Sequence, residues 1–296
     1  MRPLRPVTIE PPTTKTEAED PEQLYCYGHP KTPTRLRCSR CDRPICGRCS
    51  IPATVGQHCP ECVAEARRTA PRVRTTMAAL APATRAILFI SIAAFVGQIL
   101  VPGLDERFAS FAPAIAAGEW WRLLTPMLLH AGLFHIFMNM YVLTIFGPLI
   151  ERVYGTAPFV AIYVIAGFAG TAASYTFGSC DGLGVGASGA IFGIAGALFA
   201  YFWRRRELRS MAPYINSLAV FIGLNLLIGF GFNFLPVGVR IDNFAHLGGL
   251  VAGALTGLGF DRKTGDASPG QYVTVAVLGT VAIVALVMWR TANFTC

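Results

Sequence analysis

The sequence predicts an all-α, multi-pass membrane protein preceded by a small cysteine-rich domain, and three observations carry that prediction. The 296 residues are 53% hydrophobic and only 14% charged, with a mean hydropathy of +0.48, which leaves too little polar surface for a soluble chain. Apolar runs of about twenty residues recur, each long enough to cross roughly 30 Å of hydrocarbon as a helix. Seven of the nine cysteines fall between Cys26 and Cys62.

Taken in order, the chain opens on the polar stretch "MRPLRPVTIEPPTTKTEAED". It has no apolar centre, so residues 1–22 are expected to be a disordered leader and not a cleaved secretory signal. Residues 23–66 form the cysteine-rich domain and 67–84 a basic linker. Seven spans follow, at about 85–101, 133–150, 157–177, 185–203, 212–235, 242–260 and 271–288. Backbone groups in lipid must bond within their own segment, and the runs lack the ten-residue alternation of a membrane barrel, so the spans are helices.

The net charge of +8 follows topology. With the N-terminus inside, the inner flanks hold Arg67, Arg68, Arg72, Arg74, Arg85, Arg152, Arg204, Arg205, Arg206, Arg209, Arg262 and Lys263, and the outer segments hold only Arg107, Arg122, Arg240 and Arg290. That asymmetry is the positive-inside pattern and places the C-terminus outside. The run "RRRELR" is read as an orientation signal first and a lipid-headgroup contact second. The bilayer is the expected partner of this charge, with no nucleic acid, and a bacterial plasma membrane is the expected location.

The cysteine-rich stretch "CYGHPKTPTRLRCSRCDRPICGRCSIPATVGQHCPEC" reads C-x2-H followed by three C-x2-C pairs. Paired ligands two residues apart suit tetrahedral zinc, and eight ligands imply two ions. A disulfide scaffold is the competing reading, disfavoured by the histidine and by the predicted cytoplasmic side. The stretch resembles a B-box-type zinc finger, which implies interleaved chelation: Cys26, His29, Cys46 and Cys49 at one site, Cys38, Cys41, Cys59 and Cys62 at the other. His58 is a bystander, because using it in place of Cys59 would break the C-x2-C spacing. All ligand positions are filled by protein, so the zinc is structural, and about forty residues need it to fold. A cytoplasmic protein is the expected partner of this domain, which lacks the helix of a DNA-reading finger.

Very few ionisable side chains fall at membrane depth among the six spans before residue 264. His135 and His246 stand out, with Asn139 and Asn243 nearby, and such residues are functional hypotheses by default. The matching motifs are "EWWR", "HAGLFHIFMN", "GASG" and "NFAHLGGLVAG". Their order and spacing resemble a rhomboid intramembrane serine protease over about residues 85–263. The resemblance implies a six-helix core, with residues 264–296 adding a seventh transmembrane helix and a short outer tail. It also implies a dyad of Ser188 as nucleophile and His246 as general base, and a transmembrane protein as substrate.

The residues agree with that implication. A serine hydroxyl is inert until a base takes its proton, and imidazole titrates near the working pH. Small residues at four-residue spacing, Gly189 and Gly193 on one helix and Gly249, Gly253 and Gly257 on the other, would let the two helices meet. The backbone of Ser188, near a helix start, offers N–H groups to an oxyanion. His135 and Asn139 would add side-chain donors, as their counterparts do in the family. Gly186 belongs to the same motif. Trp121 and Arg122 match the tryptophan-arginine pair that braces the first outer loop, and His130 resembles a structural loop histidine. Phe192 stands where some bacterial relatives have tyrosine, able to stack under the imidazole but without a hydroxyl. Asp242 lies one turn before His246 and is left out of the mechanism.

Two rivals are weaker. A catalytically inactive rhomboid-like protein that binds membrane clients is disfavoured because Ser188, His246, His135 and Asn139 are all present. A transporter is disfavoured by the lack of repeated halves and intramembrane acids. The pairing of Cys180 with Cys296 stays open at this stage.

Overall fold

The computed structural model describes residues 24–53, 55–69, 81–232, 240–261 and 269–296. The expected leader, linker residues 70–80, and the cationic Arg72, Arg74, Arg262 and Lys263 lie outside the described residues. The chain divides into two compact units, Met1–Arg74 and Thr75–Cys296.

The first unit holds two short hairpins and a helix. Strand β1 (Tyr25–Cys26) pairs antiparallel with β2 (His29–Pro33), and β3 (Ile51–Pro52) with β4 (Gln57–His58), before α1 (Pro60–Thr69). None of the strands exceeds five residues, and the buried set is Ile45 together with six cysteines. Such a core is too small to hold a fold by apolar burial.

Among the described residues the second unit is built of helices: α2 (Pro82–Leu100), short α3 (Leu104–Phe108) and α4 (Ala112–Ala116), α5 (Leu133–Tyr154), α6 (Thr156–Phe177), α7 (Ser188–Trp203), α8 (Ala212–Phe232), α9 (Asn243–Phe260) and α10 (Pro269–Ala292). A helix stands at each of the seven predicted spans. Among the described residues, five segments are long and apolar enough to cross a membrane: Pro82–Leu100, Leu133–Tyr154, Thr156–Phe177, Arg209–Gly231 and Gly270–Ala292. The two others have different reasons. Helix α7 has 16 residues, about 24 Å of helix, and α9 spends part of its length on Asn243, His246 and glycines.

Helix α7 is central. It packs against both α6 and α9, and those two pack on each other; α2 and α5 flank this trio, α10 lies on α6 and α9, and α8 touches mainly α7. Every residue from Gly189 to Leu198 is buried. The α7–α9 crossing brings backbone to backbone: a Cβ added at Gly249 would land on the carbonyl of Gly189, and one at Gly253 on the carbonyl of Gly193.

Several boundaries differ from the sequence reading for visible reasons. Helix α7 starts at Ser188 and not at 185, because Gly184 forms an isolated bridge with Ser110 and Gly186 has φ 130°. Helix α2 starts earlier, with a proline in its first turn and Glu151 of α5 serving its free N–H groups. Glu151 accepts from the backbone N of Ala83 (3.0 Å) and Thr84 (3.1 Å), and from the hydroxyls of Thr84 and Thr156 (2.9 Å each). It is therefore a further buried ionisable group in these helices, beside the two histidines. The basic run after α7 makes specific contacts within the fold. Arg205 binds the buried Asp261 carboxylate in bidentate fashion at 2.9 and 2.6 Å, with Arg204 at 3.5 Å, tying the ends of α7 and α9 together.

Candidate active site and metal centres

Ser188 is the first residue of α7, where backbone N–H groups have no helical partner and point outward. The loop before it is fixed to the first long loop: Ser110 and Gly184 exchange backbone bonds (2.9 and 2.8 Å), and Gly186 N donates to Pro126 O (2.9 Å). Positive φ at Gly186 also brings its backbone against His135. A Cβ there would lie 2.8 and 2.9 Å from Cε1 and Nε2 of that ring, so only glycine lets the imidazole stand beside Ser188.

His246 sits on the first turn of α9, 7% exposed. Its Nε2 lies 2.9 Å from Ser188 Oγ, the distance of a hydroxyl donating to a ring nitrogen. An Nε2 that accepts leaves the proton on Nδ1, which has no hydrogen-bond partner among the described residues. The ring is oriented by stacking instead. Phe192, one turn beyond the serine, lies parallel to it at 4.2 Å between centroids and 7° between planes. Asp242 caps α9, its Oδ1 accepting from Ala245 N at 2.9 Å. Among the described residues no carboxylate bonds the imidazole.

Asn139 is buried, but its amide donates to the carbonyl of His135 at 2.9 Å. It therefore acts on the turn that carries His135. His135 Nδ1 accepts from Ala131 N (3.2 Å), which directs the other ring nitrogen toward Gly186. A cavity of about 40 Å³ opens beside Ser188, lined by Ser110, Thr171, Ser174 and Asp242 among others. Its lining mixes these polar groups with apolar ones such as Met127 and Val185, and it has room for a water molecule.

Arg122, 6% exposed, knots the first long loop: its guanidinium reaches the Glu119 carboxylate (2.6 Å) and the carbonyls of Glu106 and Ala109 (2.8 Å each). Trp121 is half exposed, with Nε1 donating to Arg107 O at 3.3 Å. His130 is buried with both ring nitrogens unpartnered among the described residues, its ring 5.3 Å from that of His135. Gly189 and Gly170 face the carbonyl of Ala245, so α6 shares in the close approach. Gly170 escaped the sequence reading, although the small residues of "AGFAGTAAS" signal it.

One relationship escaped the sequence reading, and one that it left open is settled. Glu151 looks like a flanking charge until its partners are seen. Cys180 and Cys296 form a disulfide across 116 residues, with Cα atoms 5.9 Å apart.

In the first unit two four-residue clusters assemble, Cys26, His29, Cys46 and Cys49, and Cys38, Cys41, Cys59 and Cys62, with the ligand atoms of each within 4.8 Å of one another. In the first, His29 Nδ1 lies 3.8, 3.4 and 3.3 Å from the three sulfurs, and in the second Cys41 and Cys59 sulfurs are 3.8 Å apart. These separations fit donors around one tetrahedral ion with bonds of about 2.0–2.3 Å. Electrostatics asks for a cation too. Burial opposes ionisation of Cys26, but backbone N–H groups of Cys46 and Gly28 and the His29 side chain outweigh it and hold the thiol at about 6. Cys49 is pushed up to about 11 by burial and by Cys26 and Cys46, and Cys62 to about 12 by its bond with Cys59 and by burial. Each group thus sets thiols held below their ordinary range, Cys26 in the first and Cys38 and Cys41 in the second, beside one pushed above it, and a positive ion would share that charge. Arg43 adds partial compensation, its Nε 3.4 Å from Cys41 Sγ. His58 lies outside both clusters.

A rhomboid domain matches residues 117–263. Among the similar proteins, rhomboid protease GluP of Bacillus subtilis is 40% identical over 139 residues, 47% of this chain and 26% of its own length. Rhomboid-like protease 1 of Toxoplasma gondii is 35% identical over 196 residues, 61% of this chain and 65% of its own. YdcA of Bacillus subtilis, which bears the same family name, is 36% identical over 141 residues, 48% of this chain and 67% of its own. The chain belongs to the rhomboid family. It spans between a quarter and two thirds of the length of these relatives, and the rhomboid match begins well after the two cysteine clusters. Within the rhomboid region lie Ser188, His246, His135, Asn139 and Phe192, together with Trp121 and Arg122.

Proposed function

We propose that this chain is an intramembrane serine endopeptidase that hydrolyses peptide bonds in or near the transmembrane helices of membrane proteins, with Ser188 as nucleophile and His246 as general base. The observation that carries the reading is the 2.9 Å contact between Ser188 Oγ and His246 Nε2 at the start of a buried helix. Its support among relatives is that two of them are named rhomboid proteases.

The chemistry follows from the groups in reach. His246 Nε2 takes the Ser188 proton as Oγ attacks the scissile carbonyl, and the Ser188 N–H and His135 side chain receive the oxyanion. His246 then returns the proton to the departing amine. A water, for which the adjacent cavity has room, hydrolyses the acyl-enzyme with His246 again as base. Phe192 keeps the imidazole in plane, and Asn139 sets the turn that aims His135. The substrate must unwind locally to reach Ser188, so small or helix-breaking residues near the scissile bond favour cleavage.

The domain reading is 85–263 for the protease core, 264–296 for the added helix and tail, and 23–66 for a domain holding two structural zinc ions. A bacterial plasma membrane, with the N-terminal domain in the cytoplasm and the C-terminus outside, accounts for the cysteine chemistry: unpaired thiols before residue 63 and a disulfide at Cys296. The cytoplasmic domain then meets a protein partner. Purified full-length protein incubated with a fluorescent transmembrane peptide tests the activity. Cleavage that vanishes in Ser188→Ala supports the reading; absence of cleavage by the folded wild type, across peptides of varied sequence, favours an inactive client-binding protein.

A further inference from the structure

The last turn of α10 and the residues after it are fastened to α6 and to the start of the loop that delivers Ser188. Cys296 is bonded to Cys180. Arg290 Nε donates to the carbonyl of Tyr175 (3.4 Å), while its terminal nitrogens hold the carbonyls of Asn293 (3.2 Å) and Thr295 (3.0 Å). The Tyr175 hydroxyl bonds Thr291 (2.9 Å), and the Tyr175 ring stacks on Phe294 at 5.9 Å and 13°. The fastenings that leave the tail end on Tyr175 of α6 or at residue 180.

That loop has little else to hold its near end. It runs from 178 to 187 and includes glycines at 178, 182, 184 and 186, residues that lose the most conformational freedom on ordering. Ser179 and Asp181, Gly182 and Leu183 are exposed. The far end is secured by the Ser110 and Pro126 bonds described above. The near end is secured by the disulfide.

We propose that residues 290–296 are a positioning brace for the nucleophile loop, holding Gly186 and the Ser188 N–H in register with His135 and His246 through the Cys180–Cys296 bond. The role rests on the protease reading, and the brace acts through Ser188 without touching substrate. It predicts a loss in kcat, because a loosened loop misplaces oxyanion donors that matter in the transition state, with KM little changed.

The test uses the full chain in detergent, comparing wild type with Cys296→Ser, Cys180→Ser, the double variant and Phe294→Ala. A fluorescent transmembrane peptide gives kcat and KM, and amide hydrogen exchange is followed over 178–190. Either serine variant should lose about tenfold in kcat, short of the roughly hundredfold cost of a full ångström of misplacement. Exchange over 178–188 should rise, and the double variant should match the singles, since the two sulfurs act as one unit. Dithiothreitol, a dithiol that gives two electrons and two protons and becomes a cyclic disulfide, should reproduce the loss in wild type and leave Cys296→Ser unaffected. Phe294→Ala keeps the covalent bond and should show a smaller rise in exchange. Unchanged exchange, or a KM effect without a kcat effect, overturns the brace. If no form of the protein cleaves, the protease reading fails, and the exchange result alone decides whether the tail orders the loop.

Discussion

The two units solve the same problem by opposite means. Each must bring side chains distant in sequence to within about 3–4 Å and keep them there. The cysteine-rich unit does it with groups that could hold metal: among the described residues its buried set is mostly the cysteines themselves. The rhomboid unit does it by subtraction. Where Gly249 meets Gly189 and Gly253 meets Gly193 there is no side chain at all, and the missing atoms let Ser188 and His246 touch. A metal-held unit is lost all at once when the ion leaves, whereas a glycine-held one is altered locally by whichever atom is put back.

The largest test of that contrast lies in the core. Ser188→Ala or His246→Ala should each lower kcat by about 10⁴-fold or more while the protein still folds and keeps its metal; near wild-type turnover of Ser188→Ala would break the dyad assignment. His135→Ala should cost about a hundred- to a thousandfold as a lost oxyanion donor. Asn139→Ala should cost less, since its amide serves the His135 carbonyl, and equal losses in steady-state assays would make Asn139 a donor in its own right.

Restoring atoms to the crossing comes next. Gly249→Val should destabilise the rhomboid unit by about 1–3 kcal/mol through overpacking, read as a lowered thermal midpoint, with the metal content unchanged. Removing metal probes the opposite side. Elemental analysis should find about two zinc ions per full-length chain, and a strong chelator should unfold the first unit, seen by hydrogen exchange over 24–69, while peptide cleavage continues at its former rate. Loss of cleavage in step with zinc would mean that the first unit governs the second. The smallest effect belongs to Phe192→Ala, which removes a stacking contact worth about 0.5–1.5 kcal/mol and should lower kcat by up to about tenfold, with Phe192→Leu in between.

Legibility followed the same divide. Ligand spacing is local, so C-x2-C and C-x2-H pairs are visible in the sequence, and likeness to a known finger supplied the interleaving that local spacing lacks. Ser188, His246 and their glycines were legible because polar and very small residues are conspicuous in apolar helices. What stayed hidden depends on partners far along the chain. Glu151 reads as a flanking charge and Arg205 as an orientation signal until Ala83 and Asp261 are placed beside them, and the pairing of Cys180 with Cys296 stays open until their backbones are seen to meet. The start of α7 was misjudged by three residues because the bridge to Ser110 holds Gly184 out of the helix, and no periodicity announces such a bridge.

The Glu151 carboxylate has a consequence for how the molecule is made. Helix α2 is made before α5, and its opening N–H groups find their acceptor on α5, 68 and 67 residues later. Until that acid is made, water is the natural partner for those amides. The two helices are therefore expected to complete their insertion as a pair, although each is long and apolar enough to cross a membrane.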